Sequence, residues 1–380
     1  MTDSAVSGGT MENNLAALRQ KRGISAARLA AIIGVARQSV YAMEAGSFVP
    51  NTEVALKLGR ALDCRVEDLF RLKEDSIPAS SRNEKALLLP GSEGLLRGQP
   101  VQLCRMGRRL VATAPPHIAW YFPPCDATVA RSSTKSGATT VNLTGTEREF
   151  GKRVLVAGCD PGISVLARSA LLAGVELVLA HRNSSQALQL LKKGSIHIAG
   201  THLRDEATGD SNLPAIGALF PKESVAVISF AVWEEGIVAA PGNPRAIRGV
   251  EDLARKDVSI VNRETGAGSR KLLDAQLKRL GIRAETVRGY QNLANGHLDA
   301  AWQVRSGAAD CCIAPSAVAR SLGLSFVPLV TERYDLALRR RDLETPGIRV
   351  LMETLNRSTF RRELESFGGY DARDAGKRLL

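Results

Sequence analysis

The chain has 380 residues, with 51 lysine and arginine residues against 39 aspartate and glutamate residues, so its formal net charge is +12. A chain of that length is longer than those that usually fold around one hydrophobic core, which predicts two or three domains. The basic balance favours a polyanionic partner such as nucleic acid without identifying it. No apolar run reaches the length of a membrane-spanning helix, which argues against a membrane protein.

The cysteines form no CxxC pair and have no histidine at zinc-ligand spacing. We therefore expect buried or incidental thiols in a reducing compartment, no metal site and no cofactor. Residues 1–11 are small and polar, without an apolar segment after a basic start, so we expect no signal peptide and a cytoplasmic protein. The cysteines are Cys64, Cys104, Cys125, Cys159, Cys311 and Cys312.

Residues 14–72 have the periodicity of a five-helix domain. Ser25 is a predicted N-cap, and Gly34 ends the helix that follows because a left-handed turn costs least as glycine. A second short helix starts at Ala36 and is followed by a helix over 52–62. Apolar residues are predicted on one face of each short helix: Leu29, Ile32 and Ile33 on the first, Val40 and Met43 on the second.

The polar face of the second short helix has side chains suited to reading base edges. Arg37 matches the O6/N7 pair of guanine and Gln38 matches the N6/N7 pair of adenine. A recognition helix contacts bases near its N-terminal end, where both residues lie. The residues that we expect to contact DNA are Ser25, Arg28, Arg37, Gln38, Ser39 and Tyr41.

These helices carry the motif residues of a known family: Leu18, Arg19, Leu29, Ala30, Gly34, Val35, Pro50 and the segments 23–25, 38–40, 44–46 and 61–70. The segment resembles the Cro/C1-type helix-turn-helix family, also called the XRE family, and we delimit it as 12–72. The resemblance implies double-stranded operator DNA as a partner and a structural salt bridge between Arg19 and Glu44. The alternative is a small helical bundle with a solvated polar face.

Past this domain the pattern changes. Residues 73–86 mix charges with serine, proline and alanine, which predicts a linker. From 87 to 150, short apolar runs broken by glycine and proline predict a small β-rich connecting module with strands at 101–103, 110–112, 118–122 and 140–143. His117 and Trp120 lie between two proline pairs, where a packed turn is favoured over a ligand site.

From 151 to 375, strands and helices alternate, which predicts a parallel sheet covered by helices. The strands 154–157, 175–180 and 196–199 each end in a polar loop, and 224–232 and 236–239 are predicted as two further strands. Ligands of such sheets bind beyond the carboxyl ends of the strands. The residues that we expect to reach a ligand there are Asp160, Ser184, Ser185, Thr201 and His202.

A glycine-rich loop follows the predicted strand 258–262 and opens the predicted helix 271–280. A glycine pair before a helix lets backbone N–H groups converge on an anion, and an arginine adds attraction. The loop is neither a Walker A sequence nor the dinucleotide fingerprint, and a glycine turn with a serine cap is the competing interpretation. The predicted contacts are Thr265, Gly266, Gly268, Ser269 and Arg270.

Six segments of this region match a second family: 262–270, 297–301, 304–310, 324–329, 332–336 and 369–371. The order of elements resembles the type II periplasmic-binding-protein fold, in the form fused to helix-turn-helix domains and related to molybdate-binding proteins. The resemblance implies a two-lobed clamp that closes on a small ligand such as a molybdate-like oxyanion. We expect hinges near 231–235 and 264–265, and Tyr334 could close over the ligand because a tyrosine at a strand end can donate its O–H to an anion. Because Asp160 presents a carboxylate where hydroxyls and amides suit an oxyanion, a zwitterion or another polar metabolite is the alternative.

The sequence thus predicts a multidomain chain: an all-α helix-turn-helix domain, a small β-rich connector and an α/β two-lobed ligand-sensing domain. Since no catalytic constellation stands out, we expect a non-enzymatic, ligand-responsive transcriptional regulator that acts as a homodimer. An enzyme on the same clamp, with Asp160, His202 and Glu264 as acid–base groups, is one alternative. A clamp that has lost its ligand and serves only in oligomerisation is another.

Overall fold

The computed structural model describes residues 11–72, 83–115, 123–131, 137–144, 150–205, 208–221 and 223–380. The chain divides into two compact units, Met1–Ser80 and Ser81–Leu380. Within the described ranges, no helix combines the length and the apolar character needed to cross a membrane. His117, Trp120, the predicted strand 118–122 and most of the predicted linker lie outside the described residues.

The first unit has the five predicted helices. A short antiparallel strand pair, β1 with β2, brings the two ends of this unit together. In chain order the elements are β1 (Met11–Asn13), α1 (Leu15–Lys21), α2 (Ala26–Ile33), α3 (Arg37–Glu44), α4 (Thr52–Leu62), α5 (Val66–Leu69) and β2 (Phe70–Leu72).

Local capping explains where α2 begins and ends. The Ser25 hydroxyl oxygen accepts a hydrogen bond from the Arg28 backbone N–H at 3.2 Å, and Gly34 adopts the left-handed conformation with φ of 77°. Both features were predicted. The predicted inner face was wrong at Ile32, which is 53% exposed. Ala26 and Ala30 complete the buried stripe instead, so Ile32 lies beyond its edge.

The second unit starts with a closed five-stranded barrel. Its strands are β3 (Asn83–Leu88), β4 (Pro100–Met106), β5 (Arg109–Thr113), β6 (Ala127–Arg131) and β7 (Ala138–Leu143), joined in the order β3-β5-β4-β6-β7. Strand β3 pairs in parallel with β5 and antiparallel with β7, which closes the barrel. Residues 83–86, predicted as linker, therefore belong to the barrel.

The barrel shares a core with the α/β region that follows it. Leu89, Cys104 and Val111 pack in one cluster with Leu155 and Val178. The buried Arg153 guanidinium donates to an Asp126 carboxylate oxygen at 2.6 Å and to the Leu103 carbonyl at 2.9 Å. The predicted connecting module is thus part of the larger unit.

Lobe 1 has the predicted alternation of strands and helices. Its central strands run in parallel in the order β9-β8-β10, because each is buried on both faces and helices form the crossovers. The elements are β8 (Val154–Gly158), α6 (Ile163–Leu172), β9 (Leu177–His181), α7 (Ser184–Lys192), β10 (Ile198–Thr201) and α8 (Leu213–Leu219).

The chain then crosses into lobe 2 and back on two long antiparallel strands, β11 and β15. Lobe 2 contains β12, α9, β13, α10, β14 and α11, and the last helices return to lobe 1, where α12 and α13 pack on α6. The elements are β11 (Val225–Ala239), β12 (Asn262–Arg263), α9 (Gly268–Arg279), β13 (Leu293–Ala294), α10 (His297–Arg305), β14 (Cys311–Pro315), α11 (Ser316–Ser321), β15 (Ser325–Arg339), α12 (Pro346–Asn356), α13 (Ser358–Ser366) and β16 (Tyr370–Asp371).

These strands correct three predictions. The two strands predicted at 224–232 and 236–239 are one strand of 15 residues, bent by irregularities in its pairing with β15. The predicted strand at 258–262 is reduced to Asn262–Arg263. The second connection between the lobes is β15, which pairs with β11 throughout, and not the loop at 264–265. The large sheet is consequently mixed and not purely parallel.

Candidate functional site

Helix α3 presents the predicted base-reading residues on its exposed face. Val40 and Met43 are buried in the domain core, whereas Arg37, Gln38 and Tyr41 are exposed. The Arg37 guanidinium donates to the Tyr41 hydroxyl oxygen at 3.0 Å and lies 5.4 Å from the centre of that ring. Tyr41 therefore holds Arg37 extended along the helix surface, where its remaining N–H groups can bind a base or a phosphate.

The remaining predicted DNA contacts surround this helix. Arg28 is exposed on the first turn of α2, and Ser25 caps that helix. Ser39 is half-buried. The predicted salt bridge is confirmed: Arg19 contacts Glu44 at 2.5 Å, and its guanidinium also donates to the Ile24 carbonyl at 2.9 Å. It joins α1 to the C-terminal end of α3 and so fixes the recognition helix against the core.

A second constellation lies between the two lobes, where buried polar side chains from both lobes and from the connecting strands meet. His202 follows β10 in lobe 1 and His297 opens α10 in lobe 2. We call the group the interlobe cluster; all five members are buried: Cys159, His202, Glu235, His297 and Glu332.

His202 is at the centre of the interlobe cluster. Its Nδ1 lies 2.7 Å from a carboxylate oxygen of Glu332, and its Nε2 lies 3.4 Å from the sulfur of Cys159. Its backbone N–H donates to the Ser184 hydroxyl oxygen at 3.1 Å. Burial alone would lower the pKa of His202, but Cys159 and Glu332 outweigh it and raise that pKa well above its ordinary value.

Glu235, on the crossing strand β11, is a buried carboxyl with two donors. The Ser269 hydroxyl donates to it at 2.7 Å and the Trp233 indole N–H at 3.0 Å. Burial, followed by repulsion from Glu332, raises the pKa of Glu235 to about 7. His297 Nδ1 lies 3.9 Å from Glu235, and neither ring nitrogen of His297 has a hydrogen-bond partner among the described residues.

Asp160 is buried in lobe 1 and is not an open ligand contact. One of its oxygens accepts from the Tyr370 hydroxyl at 2.6 Å and from the Gly162 backbone N–H at 3.1 Å. Burial raises the pKa of Asp160 to about 6 in spite of these donors. Tyr334 is fully buried, with its ring 5.3 Å from that of Trp233, so it is a packed element of the cleft wall.

The predicted anion cradle is not assembled as expected. Thr265 is exposed, and its carbonyl accepts from the Asn183 side chain at 3.2 Å. Gly266 has φ of +94° and lies against Asn183 and Ser185. Gly268 approaches His202 so closely that an added Cβ would lie 2.4 Å from the His202 carbonyl oxygen. These glycines contact protein across the cleft.

The contacts of Arg270 and Thr201 also differ from the predicted ones. The Arg270 guanidinium lies 4.2 Å from the centre of the Tyr290 ring and donates to the Arg263 carbonyl at 3.0 Å, so it faces lobe 2 and not the cleft. Thr201 contacts the Asn212 side chain at 3.3 Å within lobe 1. Both side chains have local partners that a sequence pattern does not reveal.

Several cluster members were missed at the sequence level. Cys159 was interpreted as a buried or incidental thiol, while His297, Glu235 and Glu332 were not predicted as site residues. Cys159 had a usable signal, since it precedes Asp160 at the carboxyl end of β8. The carboxylates lie on β11 and β15, and no pattern along one strand indicates that they meet His202.

One cavity of the second unit lies away from the interlobe cluster. It has a volume of about 820 Å³ and is lined by residues at the amino ends of the lobe 1 strands, among them Arg105, Arg153, His197 and Arg339. The cluster itself is a closed contact between lobes. The cluster residues are therefore arranged as in a clamp whose lobes are closed.

Comparison with known proteins assigns both parts of the chain. The PBP superfamily domain matches residues 167–356, half of the chain, and the helix-turn-helix model matches residues 15–69. YvgK of Bacillus subtilis (strain 168) is 32% identical over 228 residues, covering 60% of this chain and 73% of YvgK. The HTH-type transcriptional regulator YgzD of the same organism is 39% identical over 66 residues, covering 17% of this chain and all of YgzD.

Among solved structures, the sulfate-binding protein SubI from Mycobacterium tuberculosis H37Rv is 16% identical with a TM-score of 0.43, covering 58% of this chain and 86% of SubI. The family models and the topology agree on the order of the parts. The chain belongs to the PBP superfamily and carries a helix-turn-helix DNA-binding domain ahead of its ligand-binding domain.

Proposed function

We propose that the chain is a ligand-responsive transcriptional regulator whose clamp binds a small polar effector and thereby changes operator affinity. One observation carries the proposal: a helix-turn-helix domain with Arg37 and Gln38 exposed shares a chain with two lobes that meet at a buried polar cluster. An effector that binds the closed form of the lobes more tightly than the open form would shift the protein toward the closed form.

The buried charges favour one class of effector over another. Glu235 and Glu332 bring two buried carboxyl groups to the lobe interface, and Asp160 is a third buried carboxyl within lobe 1. A free oxyanion of the molybdate kind would meet their repulsion. A zwitterion or a cation would be attracted. We therefore propose that the effector presents positive charge to the cluster, and we keep molybdate as the comparison probe.

The DNA half of the proposal is tested on the full chain with a duplex selected from a random pool. Arg37→Ala and Gln38→Ala should each weaken the selected site by about 1–3 kcal/mol and random DNA far less, because base contacts specify and phosphate contacts do not. Lys57→Ala is the matched control, since it removes a charge from α4, where Lys57 pairs with Glu53. Equal losses on both duplexes would contradict base reading.

We further propose that the regulator acts as a homodimer in the cytoplasm. One helix-turn-helix domain buries too little surface for tight operator binding, and paired half-sites match twofold protein symmetry. Light scattering on the free chain and on its complex with the selected duplex measures the stoichiometry. A single chain bound with full affinity would contradict the dimer.

A second candidate function is that of an enzyme. His202 lies between the Cys159 sulfur and the Glu332 carboxylate, and an imidazole that is oriented by a carboxylate can activate a thiol as a nucleophile. Glu264, named above as an acid–base candidate, pairs with Arg263 at 2.9 Å and is unavailable. Turnover of an activated ester that is lost in Cys159→Ser but kept in Cys125→Ser would favour the enzyme. Equal background hydrolysis in all three proteins would favour the regulator.

A further inference from the structure

Three buried side chains of the lobe interface have the composition of a metal site. Cys159, His202 and His297 each offer one ligand atom, and these atoms lie within 4.8 Å of one another. We propose that they bind a divalent transition-metal ion of the zinc type. The inference rests on the proposed function and deepens it, because it names a metal ion as the effector of the clamp.

The spacing of the donors is close to that of a bound ion. Zinc–sulfur bonds of about 2.3 Å and zinc–nitrogen bonds of about 2.0–2.1 Å separate two tetrahedral ligands by about 3.6 Å. The Cys159 sulfur and His202 Nε2 are 3.4 Å apart. The ligand atom of His297 lies within 4.8 Å of both, so side-chain rotation would have to bring it closer by about 1.5 Å or less to reach the same centre.

His202 is already oriented as a metal-bound histidine is. Its Nδ1 contacts Glu332 at 2.7 Å, which leaves Nε2 directed at the Cys159 sulfur. A carboxylate behind the imidazole is the arrangement that fixes the tautomer of histidine ligands and raises their basicity. Glu332 is thus a positioning residue for the proposed site.

His297 supplies an independent observation. It is 1% exposed, and neither of its ring nitrogens has a hydrogen-bond partner among the described residues. A buried polar atom without a partner is unfavourable, because it has lost its hydrogen bonds to water. A metal ion would take one nitrogen, and Glu235, 3.9 Å from Nδ1, would accept from the other.

Charge and donor chemistry define the class of ion. A thiol and two imidazoles select zinc and its neighbours in the first transition series over magnesium or calcium, which prefer oxygen ligands. The two cluster carboxyls and Asp160 are buried nearby, while the neighbouring Arg263 pairs with Glu264. A divalent cation would offset this excess of buried acidic groups.

The site would also join the two lobes. Cys159 and His202 follow strands of lobe 1, and His297 begins α10 of lobe 2. An ion bound by all three is coordinated fully only in the closed clamp. Metal binding would therefore shift the clamp toward closure by the affinity difference between the closed and open forms.

Cobalt(II) is the probe, because a cobalt–thiolate bond gives a charge-transfer absorption band. The full-length chain is reduced, stripped with a chelator and titrated with Co²⁺. We expect one equivalent to give tetrahedral cobalt bands with thiolate character, and Zn²⁺ to displace them. Cys159→Ser should lose the charge-transfer band. Cys125→Ser and His197→Asn, the matched controls outside the cluster, should keep it.

A further variant separates ligation from folding. Glu332→Gln keeps the size of the side chain, so we expect it to retain the cobalt bands but weaken the affinity about 10- to 100-fold. Thermal melting of each metal-free variant identifies any that fail to fold. A wild-type chain without a thiolate band, or a folded Cys159→Ser protein that keeps it, would overturn the metal site.

Failure of the metal site and failure of the regulator are distinguishable. If the stripped chain binds no Co²⁺ but its operator affinity changes with a zwitterionic metabolite, the metal proposal is overturned and the regulator stands. If Co²⁺ binds through Cys159 and operator affinity is the same with and without it, the site is supported and the ion is overturned as the effector.

Discussion

The Arg19–Glu44 pair is a single contact on which the placement of the recognition helix depends. Both side chains are nearly nine-tenths buried, at 13% and 11% exposure, so Glu44→Ala leaves a charged guanidinium in a poorly solvated place. We expect a loss of about 2–4 kcal/mol in the stability of this domain, and weaker DNA binding with it. Calorimetry of the full chain measures the shift of the corresponding transition.

Glu53→Ala is the control for this change. Glu53 pairs with Lys57 on the exposed surface of α4, where the side chains are 73% and 47% exposed. Solvent screening makes such pairs weak, so we expect little change in the same transition. Similar shifts for the two variants would show that Arg19–Glu44 has no special structural role.

His197 makes the stability of the second unit depend on pH. Its Nδ1 accepts from the Leu155 backbone N–H at 2.9 Å, and burial lowers its pKa from 6.5 to about 4. Below pH 6.5, His197 becomes protonated in the unfolded chain but stays neutral in the folded chain. The free energy of unfolding therefore decreases progressively as the pH falls toward 4.

His197→Asn tests that dependence, because the asparagine oxygen can accept the same N–H without titrating. We expect the melting temperature of the wild type to fall more than that of His197→Asn between pH 7 and about pH 5. The difference between the two proteins cancels other titrating groups, among them Asp160 and Glu235. Parallel falls would contradict the assignment to His197.

Residue-scale predictions succeeded where the signal was local. Ser25, Gly34 and the Arg19–Glu44 pair follow from cap chemistry or from family spacing, and each was confirmed. The direction of the Arg270 side chain could not be predicted, because it depends on Tyr290, which is twenty residues farther along the chain. His297 was not predicted as a site residue, because its lack of hydrogen-bond partners depends on how the lobes pack.

At the scale of elements, the start of α9 in lobe 2 lies directly against His202 of lobe 1. Gly268→Ala puts a methyl group 2.4 Å from the His202 carbonyl oxygen, a contact that backbone movement alone can relieve. We expect the variant to open the clamp, with a larger radius of gyration in X-ray scattering and a lower melting temperature.

Gly217→Ala is the matched control, since Gly217 also lies in a helix but an added Cβ would meet nothing within 4 Å. Alanine is the better helix former by about 0.5–1 kcal/mol, so this variant should melt at the same temperature or slightly higher. An unchanged scattering profile for Gly268→Ala would contradict the closed interface.

The alternation of strands and helices in lobe 1 was predictable from apolar runs and polar loops, and the structure confirms it. The continuity of β11 as one strand was not predictable, because the polar Glu234 and Glu235 interrupt its apolar run. Glu235 belongs to the strand because its buried carboxyl accepts hydrogen bonds from Trp233, two residues before it on β11, and from the distant Ser269 of α9. Barrel closure through a parallel β3–β5 pair likewise depends on contacts between distant segments.

At the scale of the whole molecule, the two long strands β11 and β15 are the paths between the lobes, and the interlobe cluster is where the lobes meet. An effector that binds this cluster can change DNA binding only through its preference for one arrangement of the chain, and the coupling must be reciprocal. A useful effector therefore changes operator affinity by about 5- to 150-fold, and the operator changes effector affinity by the same factor.

The decisive measurement is a pair of titrations on the full-length chain at one salt concentration. Zn²⁺, molybdate and zwitterionic amino acids are first screened for a rise in melting temperature, which any ligand of the folded state must cause. The strongest of them is then titrated with and without the selected duplex, and the duplex with and without that ligand. The predicted result is a change of about 5- to 150-fold in each affinity, by the same factor and in the same direction. If the ligand affinity is the same with and without the duplex, and the duplex affinity is the same with and without the ligand, the claim that this clamp regulates DNA binding is contradicted.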